Sequence, residues 1–200
     1  MLRRYFFTGI FLLTPLLAVS AAGAGGGDFL STQIRILGRT NLSRFELSST
    51  TGEGSSLPSA FHISPDRSTL SGSIAIPLES FTSRPEPIRD DFLDLTDADH
   101  NPYITINLLQ EVMLPGKELN ISLPVSITMA GKENNYLIAC RVKRIDGEHV
   151  ALEGAQQIRL TDFGIDPPEK MVGLIKVENE LDINFSIIFT VSEQFSENLQ

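Results

Sequence analysis

Three observations predict an all-β chain, an antiparallel eight-stranded barrel carrying one short helix. First, two long runs alternate strictly. Leu119, Ile121, Leu123, Val125, Ile127 and Met129 are separated by Glu118, Asn120, Ser122, Pro124, Ser126 and Thr128. Leu181, Ile183, Phe185, Ile187, Phe189 and Val191 are separated by Asp182, Asn184, Ser186 and Thr190, with Ile188 breaking the polar row. A period of two places one row of side chains on a buried face of a pleated strand. Second, turn dipeptides punctuate the chain: Pro115-Gly116, Ala130-Gly131, Asn134-Asn135 and Asp146-Gly147. Asp146-Gly147 is the strongest hairpin signal, because both residue types tolerate positive φ. Third, Pro87 to Leu95 departs from the pattern, with Ile88, Phe92 and Leu95 at spacings of four and three.

In chain order, residues 1–24 read as a secretory signal peptide. Arg3 and Arg4 precede the apolar run Phe6 to Val19, and Ser20 to Ala24 are small, so cleavage fits after Ala22 or Ala24. The run is shorter than the roughly 20 residues a spanning helix needs. Residues 25–32 read as a flexible lead-in, 33–192 as the barrel domain and 193–200 as a tail. Within the domain, Gln33 to Leu37, Leu42 to Leu47 and Ala60 to Ile63 carry weaker strand patterns. Leu70, Gly72, Ile74 and Ile76 alternate with Ser71, Ser73 and Ala75, and Ile104, Ile106 and Leu108 with Thr105 and Asn107. The segment around Pro124 is one strand, or two joined there. Tyr136, Ile138, Cys140 and Val142 form a further row, as do Val150, Leu152, Gly154, Gln156 and Ile158. For the one helix, Pro87 suits the first position, and Asp90 and Asp91 suit its positive start. About eight half-apolar strands must hide one face each. Closing the sheet on itself does so and removes the edges.

Composition narrows the function. The chain has 200 residues, 42% of them apolar, a net charge of -9 and a mean hydropathy of +0.04. That balance is globular. It argues against nucleic acid or anionic lipid held on a basic surface. Beyond the signal segment no run is apolar enough to cross a membrane, so an exported chain without stable insertion is expected, periplasmic or secreted. The single cysteine, Cys140, allows no internal disulfide. In an oxidising compartment it is either buried or paired with another chain, so a homodimer stays open. The expected state is a buried, inert thiol.

Catalytic and metal-binding patterns are weak. His62, His100 and His149 have no ligand spacing. Asp97-Ala98-Asp99-His100-Asn101 starts like a calcium loop, but Pro102 and Leu108 stand where Gly and Glu are required. Asp94, Asp97 and Asp99 therefore read as helix termination and a solvated turn. No Gly-x-Ser-x-Gly elbow is present. The expectation is no enzyme, no metal and no cofactor.

Several blocks, in this order and spacing, carry a resemblance. They are Gly38-Arg39-Thr40-Asn41-Leu42-Ser43-Arg44-Phe45, Gly72 to Phe81, Arg89 to Leu95 and Asn101-Pro102-Tyr103-Ile104. Thr161-Asp162-Phe163-Gly164-Ile165-Asp166-Pro167-Pro168 and Met171 to Val177 complete the set. The chain resembles the YceI-like family over roughly Gln33 to Val191. The resemblance implies a lipocalin-like barrel, export to the periplasm, and an apolar lining that holds an isoprenoid or other lipid. The implied lining is Ile74, Ile76, Phe92, Ile104, Ile106, Leu108, Val125, Ile127, Ile138, Val142, Leu152, Ile158, Phe163, Ile183, Phe185, Ile187 and Phe189. Two features depart from the family pattern: no long apolar first strand is evident, and Ser48 to Pro58 is rich in Ser and Gly. In the Phe163 to Pro168 stretch, Gly164 can take positive φ while Phe163 and Ile165 plug a barrel end. The sequence leaves two readings: a hollow barrel that sequesters an apolar molecule, and a filled barrel that binds another protein.

Overall fold

Alternating sequence becomes alternating burial along nearly every strand. In the computed structural model, which describes residues 29–52, 59–64 and 68–191, the elements run β1 (Phe29–Arg39), β2 (Arg44–Thr51), β3 (Ser59–Ile63), β4 (Thr69–Pro77), β5 (Thr82–Ser83), α1 (Pro87–Leu95), β6 (Tyr103–Leu108), β7 (Val112–Met113), β8 (Glu118–Met129), β9 (Lys132–Arg144), β10 (His149–Arg159), β11 (Glu169–Lys170), β12 (Ile175–Lys176) and β13 (Glu180–Thr190). The expected export segment and the 193–200 tail lie outside the described residues.

One antiparallel sheet follows the order β3-β4-β6-β8-β9-β10-β13-β1-β2-β5, with β7 against β4. It curls around a single apolar core, so the all-β, lipocalin-like class holds. The strand count of eight is corrected: β5 and β7 have two residues each, leaving nine longer strands. Closure is corrected too. Among the described residues β3 and the two-residue β5 are the ends of the sheet, and β3 pairs with neither β5 nor β2. The outer edge of β2 is already taken by the chain that leaves β4. Leu47 and Ser48 pair with Ser83 and Thr82, Ser83 Oγ donates to the Glu46 carbonyl at 2.7 Å, and the Ser49 and Ser80 hydroxyls lie 2.6 Å apart.

A long first strand is present after all, and it begins inside the expected lead-in. Gln33, Arg35, Leu37 and Arg39 face outward, while Thr32, Ile34, Ile36 and Gly38 are buried. Its inward row holds two large apolar residues, too few to stand out as an apolar segment. The β8 strand runs unbroken through Pro124. The Pro124 carbonyl accepts from the Leu109 amide at 3.0 Å, so its missing N–H faces the same neighbour, where β6 has already ended.

Two turns differ in mechanism. Ala130 (φ 50°) and Gly131 (φ 71°) join β8 to β9 as a two-residue turn with both dihedrals left-handed. Asp146-Gly147 does join β9 to β10, but not through positive φ. The Asp146 carboxylate instead accepts from the Glu148 and His149 amides, each at 2.8 Å, an Asx-type closure.

The helix α1 spans the expected residues, with Pro87 in its first turn. It ends as Schellman geometry requires: Asp97 takes φ 51°, its amide reaches the Asp94 carbonyl and the Ala98 amide reaches Leu93, at 3.1 and 3.0 Å. The Asp97 carboxylate lies 2.8 Å from His100 Nδ1 and raises the ring's pKa above its ordinary value. The expected helix-stop role of Asp97 is what this geometry performs.

Candidate functional site

Inward rows from eight strands and one connecting segment meet in a narrow internal slot. Its lining is Ile34, Ile36, Phe61, Ile74, Ile76, Phe81, Ile104, Ile106, Leu108, Leu123, Val125, Ile127, Ile138, Leu152, Gln156, Ile183, Phe185 and Ile187. Gln156 is the one polar member. The slot has a volume of about 80 Å³, well below the roughly 300–1,000 Å³ usual for ligand pockets. As folded, the side chains nearly fill it.

A second cavity lies at one end of the barrel, under α1. It is walled by Phe45 and Leu47 of β2, Ile88, Phe92 and Leu95 of α1, Leu160, Pro168, Ile175, Val177 and Leu181, with Thr40, Ser43, Asp91, Asp94 and Lys170 supplying polar groups. Its volume is about 480 Å³, within the ligand-sized range. Lys170 pairs with Asp91 across this chamber. The two cavities adjoin at an aromatic contact: Phe81 lines the slot, Phe92 lines the chamber, and their rings meet edge to face with centroids 5.6 Å apart.

Twelve of the seventeen expected lining residues face the slot: Ile74, Ile76, Ile104, Ile106, Leu108, Val125, Ile127, Ile138, Leu152, Ile183, Phe185 and Ile187. The structure places the other five elsewhere. Phe92 belongs to the chamber wall. Val142, Phe189, Ile158 and Phe163 are buried but line neither the slot nor the chamber. For Val142, Ile158 and Phe189 the alternation gives the buried face but not the place along the strand, whereas Phe92 and Phe163 lie outside the alternating strands. Phe163 stacks on Tyr136 at 6.2 Å, and Tyr136 Oη donates to the Asp162 carboxylate at 2.8 Å. Burial, then that bond, raises the Tyr136 pKa well above its ordinary value. Gly164 (φ 71°) caps the short turn Leu160–Phe163, so this stretch closes the barrel end, with Phe163 and Ile165 both buried.

Sequence reasoning left out Ile34, Ile36, Phe61, Phe81, Leu123 and Gln156. Leu123 and Gln156 sat in recognised alternating rows and were readable there. Phe81 follows a strand end with no periodicity around it, and only the folded chain brings it inward.

Two glycines make room for rings. Gly154 on β10 lies opposite Phe185 of β13, and a Cβ there would stand 2.5 Å from Phe185 Cζ. Gly38 of β1 lies opposite Phe45 of β2, and a Cβ there would stand 2.1 Å from Phe45 Cζ. One ring borders the slot and the other the chamber.

Cys140 is buried, and burial pushes its thiol up to about 11, which leaves it un-ionised and a poor nucleophile at neutral pH. Among the described residues no group of three or more His, Cys, Asp or Glu is placed to hold a metal ion. No helix among them is long and apolar enough to cross a membrane.

The profile of the YceI-like domain matches residues 31–189. No curated protein matches the sequence. Among solved structures, Burkholderia cenocepacia BcnA is similar at 17% identity and TM-score 0.58, over 78% of this chain and 95% of that one. A structure described as a polyisoprenoid binding domain from Saccharophagus degradans implicated in plant cell wall breakdown is similar at 9% identity and TM-score 0.61, over 82% of this chain and 99% of that one. At such identities the likeness is one of fold.

Proposed function

The chain belongs to the YceI-like family, and from that premise we propose that it is an exported protein that sequesters or carries an apolar chain, an isoprenoid or another lipid, inside its curled sheet. The observation that carries this reading is the chemistry of the slot: seventeen apolar side chains and Gln156, with no charge among them. Such a lining offers almost no hydrogen bonds, so affinity comes from hydrocarbon leaving water, about 0.8 kcal/mol per buried CH₂. Selection is then by length and girth. The similar fold of a polyisoprenoid binding domain supports an isoprenoid as the occupant. The role is binding rather than catalysis, and no cofactor is needed. The signal-like residues 1–24 support a periplasmic or secreted location.

The volumes shape the mechanism. A long chain enters a slot of about 80 Å³ only by displacing its walls, whereas the chamber of about 480 Å³ accepts a segment of chain as it stands. Occupancy thus starts in the chamber and extends past Phe92 and Phe81 into the slot. The narrow slot also favours a second reading, a filled barrel that works through its outer surface on another protein. Native mass spectrometry of the purified protein decides between them. The first reading expects co-purified lipid, or uptake of geranylgeraniol or palmitate. A repeated ligand-free mass with no uptake of either probe overturns it, and a stoichiometric protein partner then favours the second.

A further inference from the structure

The β11–β12 ribbon, which borders the chamber through Lys170 and Ile175, ends in a tip that a merely structural turn does not explain. Met171, Val172 and Gly173 are all left-handed, at φ 52°, 56° and 81°. A β-branched residue in that region is a steric outlier, where Gly or Asn is the ordinary choice. The strained residues are also apolar and bare: Val172 is 106% exposed, Met171 67% and Leu174 68%. Leu42, 72% exposed, stands beside them, because Asn41 clamps the β1–β2 turn to the ribbon through Leu174 and Lys176, with bonds of 2.9–3.0 Å. Lys170 and Ile175, on the two strands of the ribbon, both line the chamber.

We infer that this tip is a docking finger that seats Met171, Val172, Leu174 and Leu42 in the outer layer of an uncharged, zwitterionic lipid bilayer and holds the chamber mouth against it. Area decides against a protein partner as occupant. Four such side chains bury roughly 100 Å² each, about half of the ~800 Å² per side of a standard protein interface. A bilayer accepts isolated protruding side chains without a complementary surface. Charge selects the bilayer type. The two lysines of the ribbon are engaged within the protein, Lys170 by Asp91 and Lys176 by Glu169, and the chain carries -9 overall. No free cation of the ribbon is offered to anionic headgroups. The purpose of docking, transfer of an apolar chain, rests on the proposed function; the docking itself does not.

The test is flotation of the purified protein with phosphatidylcholine vesicles, repeated with phosphatidylglycerol added and at high salt. The wild type is expected to float with phosphatidylcholine alone, with no gain from phosphatidylglycerol and no loss in salt. Val172→Gly and the double variant Met171→Ser/Leu174→Ser are expected to bind at least about tenfold more weakly. Val172→Gly relieves the left-handed strain, so its melting temperature is expected to stay level or rise while binding falls; a purely structural tip would give the rise alone. Absence of flotation, equal flotation of wild type and variants, or salt-sensitive binding that requires phosphatidylglycerol overturns the inference. A dimer in sedimentation that the variants abolish also overturns it, assigning the tip to a second copy. Ligand content measured by native mass spectrometry on the same samples keeps this failure separate from failure of the proposed function.

Discussion

Replacing Gly38 with Ala should force the Phe45 ring into the chamber, and the size of the effect follows from the register. The added methyl would lie 2.1, 2.5 and 2.7 Å from three ring carbons, whereas carbon atoms rest at about 3.5–4.0 Å. The ring edge must therefore retreat by roughly 1.5 Å. Its neighbours on the other side are chamber walls, so it moves into the cavity of about 480 Å³. Gly38 does not use a left-handed φ, so Ala fits its backbone and restricts the unfolded chain, a gain of about 0.4–1 kcal/mol. Crowding costs about 1–3 kcal/mol, and the net is a loss of around 1 kcal/mol. Phe45→Ala alone loses the packing of a partly buried ring, about 2 kcal/mol. In the double variant the clash has gone and the backbone gain remains, so it should be no less stable than Phe45→Ala. Urea denaturation followed by circular dichroism measures all four proteins. The expected coupling is about 1–2 kcal/mol in favour of the double variant. Additivity within about 0.5 kcal/mol would refute the reasoning. Under the proposed function, Gly38→Ala should also weaken geranylgeraniol uptake, and the double variant should restore it.

Three further outcomes are expected. The Thr32 hydroxyl is buried without a hydrogen-bond partner among the described residues, so Thr32→Val should raise stability by about 1 kcal/mol; a loss in urea denaturation would reveal a partner. Cys140, with its thiol pushed up to about 11 by burial, should hold about 100-fold less thiolate at pH 8 than an ordinary cysteine and react with an aromatic disulfide reagent only after unfolding; rapid labelling of the native protein would contradict its burial. The hydrogen bond from His149, then that from the Glu148 amide, holds the Asp146 carboxyl below its usual range. A depressed carboxylate stabilises the fold above its unfolded-state pKa and ceases to do so as pH falls through its folded value. The stability difference between wild type and Asp146→Asn should accordingly shrink as pH falls through and below the ordinary carboxylate range; a gap that stays constant would show that the turn does not depend on the ionised carboxylate.

Face was readable in the sequence, and height was not. Alternation in 119–129 and 181–191 told which side chains turn inward, because a pleat has no other period. It could not tell how far along the strand the slot extends, so Val142 and Phe189 were grouped with Ile138 and Ile187, although only the latter pair reach the slot. Register depends on partners distant in the chain, and a local pattern does not contain it. The helix was visible because Pro87, Asp90 and the 88-92-95 spacing agree. Its role as the chamber's roof was not, since nothing near Phe92 in sequence announces the contact with Phe81. The open margin had the same cause: Ser83 and Ser49 are ordinary in a local window, and their bonding along β2 exists only after the chain from β4 has crossed it.

Along the line between β2 and β3 no ladder joins the described residues, and the buried side chains of Leu47 and Phe61 lie on the two strands that flank it. Spreading a hydrogen-bonded cylinder breaks backbone pairs in a row. Spreading this one, like loosening a drawstring, breaks no ladder between the described residues of those two strands. A bore with such an unpaired line can widen there without loss of strand pairing, which a cylinder paired all the way round cannot do.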